Sequence, residues 1–155
     1  MLILCDTRQQ EGKHKNIDSY FHRVGIQAER CRLYVGDYAI ASDQSRVVDT
    51  KQDVLEIAKD ILSSDHERFQ QECVRAQEAG IKLLVLIEEI LPDGGLISWK
   101  SPTDRNGKPL TTIKGTTLKR AMLTMTVKYG VRFRFCDPKQ TGRLIVEYLA
   151  EGVLP

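Results

Sequence analysis

The stretch GDYAIASDQSRVVDTK, Gly36–Lys51, decides how this sequence is interpreted. It places Asp37 in a predicted turn and Asp49 after an apolar pair in a predicted strand. Because side chains alternate along a strand, Asp49 and Lys51 are expected on one face and Thr50 on the other. If a hairpin brings Asp37 beside Asp49, two carboxylates and an ammonium group share one site.

Two adjacent carboxylates repel each other, and one takes up a proton unless a cation lies between them. Mg²⁺, or Mn²⁺ in its place, takes oxygen ligands from one or two carboxylates and keeps several waters. Lys51 would then orient or deprotonate a water, or balance charge in the transition state. The pattern predicts metal-assisted phosphodiester hydrolysis. The alternative is a turn aspartate beside a surface Asp–Lys pair that contributes about 0.5 kcal/mol.

Composition is that of an ordinary globular domain. The 155 residues are 41% hydrophobic and 28% charged, which suits one domain with one core. The net charge of +2 neither demands nor forbids a polyanionic partner. The four cysteines stand far apart without a C-x-x-C pair, which argues against a zinc site and a disulfide framework and favours a reducing compartment. The first residues do not resemble a signal peptide, and no apolar run has membrane-spanning length.

Hydrophobic periodicity predicts the element order β-α-βββ-α-β-α-β-α. Residues 26–42 are interpreted as a hairpin or bent strand pair, and a long helical region is expected to break near Ser63 and Ser64. Residues 90–114, rich in Pro, Gly, Asp and Asn, are predicted to form a long loop excursion, of a kind that is often functional. The fold class expected for residues 1–155 is a single α/β domain with a central mixed sheet and helices on both faces.

The Gly-Asp turn and the D-x-K strand resemble the XPF-type structure-specific endonuclease domain of the PD-(D/E)XK superfamily, which has a restriction-endonuclease-like core. That family's signature is similar to G-D-x(n)-E-R-K-x(3)-D. Gly36-Asp37 and Lys51 match it, whereas Asp49 replaces the glutamate, Thr50 the arginine and Leu55 the last aspartate. The resemblance extends over about residues 1–89 and 115–150, including the opening strand, the helix around "DHERFQQE" and the closing helix, strand and helix.

This resemblance implies roles for the residues of the site. Asp37 and Asp49 would be metal ligands, with the backbone carbonyl of Thr50 as a third, and the ion would be Mg²⁺ or Mn²⁺. Lys51 would be the catalytic lysine. Asp6, at the end of the first strand, would be a second-metal ligand or would hold a water; the alternative is an ordinary aspartate at a strand end.

Basic and aromatic residues supply candidate DNA contacts. Arg8, which follows the first strand, and the helix face that carries Arg68 and Gln71 would contact DNA phosphates. The loop excursion would lie along the DNA backbone, and its tryptophan would stack on a base. The alternatives are a solvated helix face and a tryptophan packed against the core. The predicted DNA-binding residues are Arg8, Arg68, Gln71, Trp99, Lys100 and Arg105.

The resemblance implies a divalent-metal-dependent DNA endonuclease that cuts branched or flapped DNA. A catalytically inactive nuclease fold used for DNA binding or dimerisation is the first alternative. An unrelated α/β enzyme for small molecules is the second, and the absence of a glycine-rich loop after the first strand argues against it.

The resemblance also implies partners and a location. Familiar family members carry a C-terminal helix-hairpin-helix pair that binds DNA, and this sequence ends before such a module. A stand-alone nuclease domain, or a partner that supplies DNA-binding modules, is therefore expected. Domains of this family often pair through the closing strand and helices, so the resemblance also implies a homodimer, and no membrane is expected. The cytoplasm of a bacterium, or of a cell infected by a phage, is the expected location; a eukaryotic protein would be nuclear.

Overall fold

The computed structural model of this protein describes residues 1–10 and 12–153. These residues form a single α/β domain with six strands and five helices. Within the described residues, none of the helices has the length and apolar character needed to cross a membrane. The strands are β1 (Leu2–Asp6), β2 (Gln27–Cys31), β3 (Tyr38–Ile40), β4 (Asp43–Lys51), β5 (Lys82–Ile87) and β6 (Arg132–Phe135). The helices are α1 (Lys15–Arg23), α2 (Val54–Leu62), α3 (His66–Glu78), α4 (Gly115–Tyr129) and α5 (Thr141–Glu151).

The six strands form one mixed sheet in the order β2-β1-β3-β4-β5-β6. Strand β3 is antiparallel to both of its neighbours, and the other pairs are parallel. All strands except β3 therefore run in one direction, and the carboxyl ends of β1, β2, β4, β5 and β6 lie at one edge of the sheet. The predicted mixed sheet and its element order are confirmed.

One strand pairing differs from the sequence-based interpretation. Residues 26–42 do not form a hairpin, because β2 and β3 lie on opposite sides of β1. Strand β2 pairs in parallel with β1, and the chain then crosses the end of β1 before it enters β3. The hairpin is formed by β3 and β4 instead. Local alternation predicts strands, but which strands pair is decided by contacts between distant residues.

Helices cover both faces of the sheet, as predicted. Val47 and Val85 point to the face packed against α2, α3 and α4, whereas Val48 and Leu84 point to the face packed against α1 and α5. Strand β5 is buried on both faces, which explains its continuous apolar sequence. Each fully buried aliphatic side chain contributes about 1.5–3 kcal/mol relative to an exposed one. The expected break between α2 and α3 is confirmed, since α2 ends at Leu62 and α3 begins at His66.

Candidate active site at the carboxyl edge of the sheet

Three aspartates meet at the carboxyl edge of the sheet because of how β1, β3 and β4 pair. The backbone N–H of Asp6 donates to the carbonyl of Asp37 at 2.8 Å, and the N–H of Asp37 donates to the carbonyl of Val48 at 2.8 Å. These two hydrogen bonds hold together the end of β1, the start of β3 and the end of β4. The aspartates at 6, 37 and 49 border one cleft of about 330 Å³.

Asp37 is held by its neighbour on β4. Its Oδ2 accepts hydrogen bonds from the N–H of Thr50 at 2.8 Å and from the Thr50 hydroxyl at 2.7 Å. Burial, followed by the nearby charge of Asp49, raises the pKa of Asp37 to about 6. The carboxylates of Asp37 and Asp49 both border the cleft, and the charge of Asp49 disfavours ionisation of Asp37.

Gly36 permits the tight entry to this turn. Its φ is +66°, and a Cβ atom there would clash with Cγ1 of Val47. Its N–H donates to Oε1 of Glu72 on α3 at 2.8 Å, which joins the turn to that helix. A side chain at position 36 would therefore displace either the turn or β4.

Lys51 lies between two buried carboxylates. Its Nζ is 2.9 Å from Oδ2 of Asp49 and 2.8 Å from Oδ2 of Asp60, and it lies 5.4 Å from the centre of the Phe69 ring. All three charged side chains are less than a tenth exposed. Apart from Lys51, no hydrogen-bond donor among the described residues contacts Oδ2 of Asp49 or Oδ2 of Asp60, so these two oxygens depend on the ammonium group.

These ion pairs oppose the effect of burial on the lysine. Burial lowers the pKa of Lys51, but the charges of Asp49 and Asp60 outweigh it and hold that pKa above its usual range. Burial raises the pKa of Asp49 to about 6; Lys51 lowers it and Glu72 raises it. Lys51 is therefore an ammonium group at neutral pH, and a cation bound beside Asp37 and Asp49 would lower their raised pKa values.

Sequence reasoning missed Asp60 and Glu72 as residues of the site. They lie on α2 and α3, whereas the predicted site was inferred from the alternation of side chains along a strand. Asp60 is 2% exposed in α2, where it lies among the buried residues Ile57 and Ile61. An acid on the apolar face of a helix is the one signal that could have found it. Glu72 lies four residues after Arg68, so both face the cleft from α3.

Asp6 is engaged in a structural network. Its carboxylate accepts two hydrogen bonds from the Arg8 side chain at 2.8 Å, one from the Arg8 N–H at 2.7 Å and one from the Leu33 N–H at 2.9 Å. Burial raises the pKa of Asp6, but these bonds outweigh it and hold the pKa below its usual range. The network explains the burial of Asp6 without a metal ion, and its role as a ligand or water-holder stays a prediction.

The predicted DNA-binding residues are not all at the cleft. The side chain of Arg8 is 52% exposed and that of Arg68 74% exposed, and both border the cleft, which leaves each guanidinium group accessible to a ligand. Arg68 also lies 3.6 Å from Oδ1 of Asp60. Gln71 is exposed and does not border the cleft, because the helical period turns Glu72 inward instead.

The loop excursion contributes no residue to this cleft. Trp99 is only 7% exposed, packs in the core, and donates its indole N–H to Oε1 of Glu89 at 2.9 Å. The prediction that Trp99 stacks a base is therefore wrong in this structure, because its ring faces are covered. Lys100 and Arg105 are exposed and lie outside the cleft, so their contacts with DNA stay a prediction.

The donor atoms of the cleft fit a hard divalent cation that keeps much of its water. Among residues 1–10 and 12–153, no three His, Cys, Asp or Glu side chains lie close enough together to hold a metal ion. Asp37 and Asp49 would supply two carboxylates to such an ion, and backbone oxygen and water would complete its shell. Mg²⁺ is bound in this way in many proteins, through one or two carboxylates and several waters.

Comparison with known proteins identifies the family and supports the fold. The ERCC4 domain profile matches residues 5–148 of the chain. The fold is similar to that of XPF from Aeropyrum pernix, with a TM-score of 0.66 and 21% identity over 96% of this chain and 63% of that one. The same protein in complex with DNA gives a TM-score of 0.65 and 22% identity over 96% and 62% of the two chains. This chain thus spans less than two thirds of their length, and a search of curated proteins found no match.

Proposed function

Because the chain belongs to the ERCC4 domain family, we propose that it is a divalent-metal-dependent DNA endonuclease that hydrolyses phosphodiester bonds in branched or flapped DNA. The observation that carries the proposal is the convergence of Asp37, Asp49 and Lys51 in one cleft. Nuclease domains of this family generally use a divalent metal. DNA in the complex of the Aeropyrum pernix protein supports DNA as the partner.

Each residue of the cleft has a role that follows from its contacts. Asp37 and Asp49 would hold Mg²⁺ or Mn²⁺, together with the carbonyl of Thr50, and the bound ion would lower the pKa of a water and neutralise phosphate charge. The N–H and hydroxyl of Thr50 orient Asp37. Lys51 is protonated, so it would place positive charge beside the phosphate oxygens in the transition state rather than remove a proton from water.

The substitution of Thr50 for the family's arginine and of Leu55 for its last aspartate favours one alternative. A nuclease fold that binds DNA without cutting it would also keep the cleft, although it would gain nothing from three buried charges in contact. Cleavage assays separate these two functions.

The decisive experiment incubates the purified chain with a labelled flap, a plain duplex and a single strand, each with Mg²⁺, Mn²⁺ or EDTA. We expect cleavage of the flap with either metal, none in EDTA, and a loss of about 10³-fold or more for Asp49→Ala and Lys51→Ala. Asp43→Ala, which removes an exposed carboxylate from the same strand, is the matched control and should cleave normally. Cleavage that survives both the chelator and the two substitutions would contradict the mechanism.

Metal binding has its own readout. A ligand that binds only the folded state raises its stability, so Mg²⁺ should raise the midpoint of thermal unfolding of the wild-type chain. Asp49→Ala should abolish the increase and Asp43→Ala should preserve it. DNA binding without cleavage in either metal would instead support the alternative function.

We further propose that a partner, either a second copy or a DNA-binding protein, extends the contact with DNA. Sequence reasoning assigned the apolar residues of α5 to a dimer surface. These residues, for example Leu144 and Tyr148, are instead buried in the domain's own core. Exposed apolar side chains lie on α4 instead, at Leu123 and Val127. Light scattering after size exclusion, with and without the flap, would measure the number of copies in the complex.

A further inference from the structure

A second groove lies beside the cleft and has the opposite charge character. It is bordered by Arg8, Arg32, Leu33, Tyr34 and Arg75, and no carboxylate borders it. Arg8 also borders the cleft, so the two cavities are neighbours on either side of this side chain. We call this surface the arginine groove.

The positive charge of the arginine groove is largely uncompensated. Among the described residues, Arg32 and Arg75 form no ion pair, whereas the guanidinium of Arg8 is paired with Asp6 and fixed in direction. Guanidinium groups suit phosphate oxygens because they donate several hydrogen bonds in one plane. A strand that leaves the acidic cleft next to Arg8 would therefore meet further positive charge.

One face of α3 connects the two cavities. Arg68 and Glu72 border the cleft, and Arg75 borders the groove. Residues spaced by four and then three positions lie in a row along a helix, so these side chains follow one line from the cleft into the groove. The helix thus supplies positive charge at both ends of the path.

The aromatic ring of Tyr34 is exposed to solvent at the groove. Its neighbours Leu33 and Val35 are 4% and 1% exposed, whereas Tyr34 is 60% exposed and forms no hydrogen bond or ring contact among the described residues. The segment is anchored, since the Leu33 N–H donates to Asp6 and the Leu33 carbonyl accepts from Arg8. The alternation of buried and exposed side chains therefore holds Tyr34 outward on a firm backbone.

We infer that the arginine groove binds the single-stranded arm of the DNA next to the bond that is cut, with phosphates on the arginines and one unpaired base on Tyr34. Base–aromatic stacking needs a base that is not stacked in a duplex, which selects a single strand. The inference rests on the proposed function, because it takes the cleft to be where the DNA backbone is cut.

The test measures binding of a labelled single strand and of a labelled duplex in EDTA, so that cleavage does not interfere. Fluorescence anisotropy over a range of salt concentrations would be recorded for Tyr34→Ala, Tyr34→Phe, Arg32→Ala and Arg75→Ala. Arg23→Ala is the charge-matched control, because Arg23 is an exposed arginine on α1 that borders neither cavity. Thermal unfolding would confirm that each variant is folded.

We expect Tyr34→Ala to weaken single-strand binding about tenfold, with little change for the duplex and with Tyr34→Phe close to wild type. Arg32→Ala and Arg75→Ala should weaken binding and each reduce the slope of log affinity against log salt by about 0.7. Single-strand binding by these variants that equals that of Arg23→Ala would overturn the inference.

Failure of the inference and failure of the proposed function give different results. If flap cleavage requires metal and Asp49 while the groove variants bind the single strand normally, only the groove assignment is lost. If the wild-type chain binds neither probe and cuts no flap, the proposed function is lost with it.

Discussion

The cleft and the loop excursion, residues 90–114, both contain charged and aromatic residues that the sequence marks as candidates for function. The two regions differ in how far these side chains are buried and in whether they contact one another. In the cleft, charged groups from β4 and α2 are buried and touch one another. In the excursion, the charged side chains are exposed, and the one tryptophan is buried. The difference teaches that convergence and burial distinguish a chemical site from a charged loop, because burying ions is costly unless they are paired.

The contacts of the excursion instead connect it to the core of the domain and stabilise the fold. Glu89 accepts from the Trp99 indole N–H and also from the N–H of Val54 at the start of α2. A Cβ atom at Gly115 would clash with the carbonyl oxygen of Leu96, so α4 begins in direct contact with the excursion. Asp104 accepts hydrogen bonds from backbone N–H groups within the loop.

The largest expected effect comes from Trp99→Ala, which tests the structural role of the excursion. Removal of a buried aromatic ring should lower the free energy of unfolding by about 3–5 kcal/mol, and Glu89 loses a hydrogen-bond donor as well. Denaturant unfolding measures the change, with Lys100→Ala as the neighbouring exposed control. A stable variant that has lost DNA binding would instead restore Trp99 as a DNA contact.

The next effect concerns the pH dependence of stability. Because the pKa values of Asp37 and Asp49 are raised to about 6, the folded chain keeps protons that the unfolded chain releases from about pH 4. Stability in EDTA should therefore fall as pH rises through this window and level off above it.

Urea unfolding between pH 4.5 and 7.5 measures this decline. Asp49→Asn should make it shallower, because one of the two shifted groups is removed, whereas Asp43→Asn should leave it unchanged. A wild-type stability that rises through the same window would show that the two carboxylates are not destabilised by their burial and mutual repulsion.

Asp60→Asn should have a smaller effect, on the rate rather than on binding. Asp60 fixes Lys51 through an ion pair, so we expect kcat for flap cleavage to fall about tenfold while KM and the unfolding midpoint change little. Lys59→Gln, an exposed neighbour on α2, is the matched control. A parallel loss of stability and of activity would assign Asp60 a role in folding alone.

The smallest expected effect belongs to the exposed charges of the excursion. The double variant Lys100→Ala, Arg105→Ala should weaken flap binding about threefold at moderate salt, through lost phosphate attraction, without changing kcat. Lys139→Ala is a comparable exposed control. If the double variant lowers kcat as strongly as Asp60→Asn does, the excursion belongs to the active site and the contrast with the cleft disappears.

Part of the candidate site was predictable because its residues lie on one short segment. The alternation of β4 predicts that Asp49 and Lys51 share a face, and the adjacent turn predicts Asp37. Glu72 and Asp60 were not predictable in the same way, since they come from helices whose orientation depends on packing. The covering of Trp99 also depends on packing, because loop composition does not reveal what lies beneath a loop.

The sequence by itself determined the elements and their faces, since side-chain periods of two and 3.6 residues are local properties of the backbone. It determined the buried strand β5 and the break between α2 and α3. Only the tertiary structure decided that β1 lies between β2 and β3, and that Asp60 closes an ion pair with Lys51. These outcomes depend on contacts between distant segments, whose free energy exists only once the whole core has assembled.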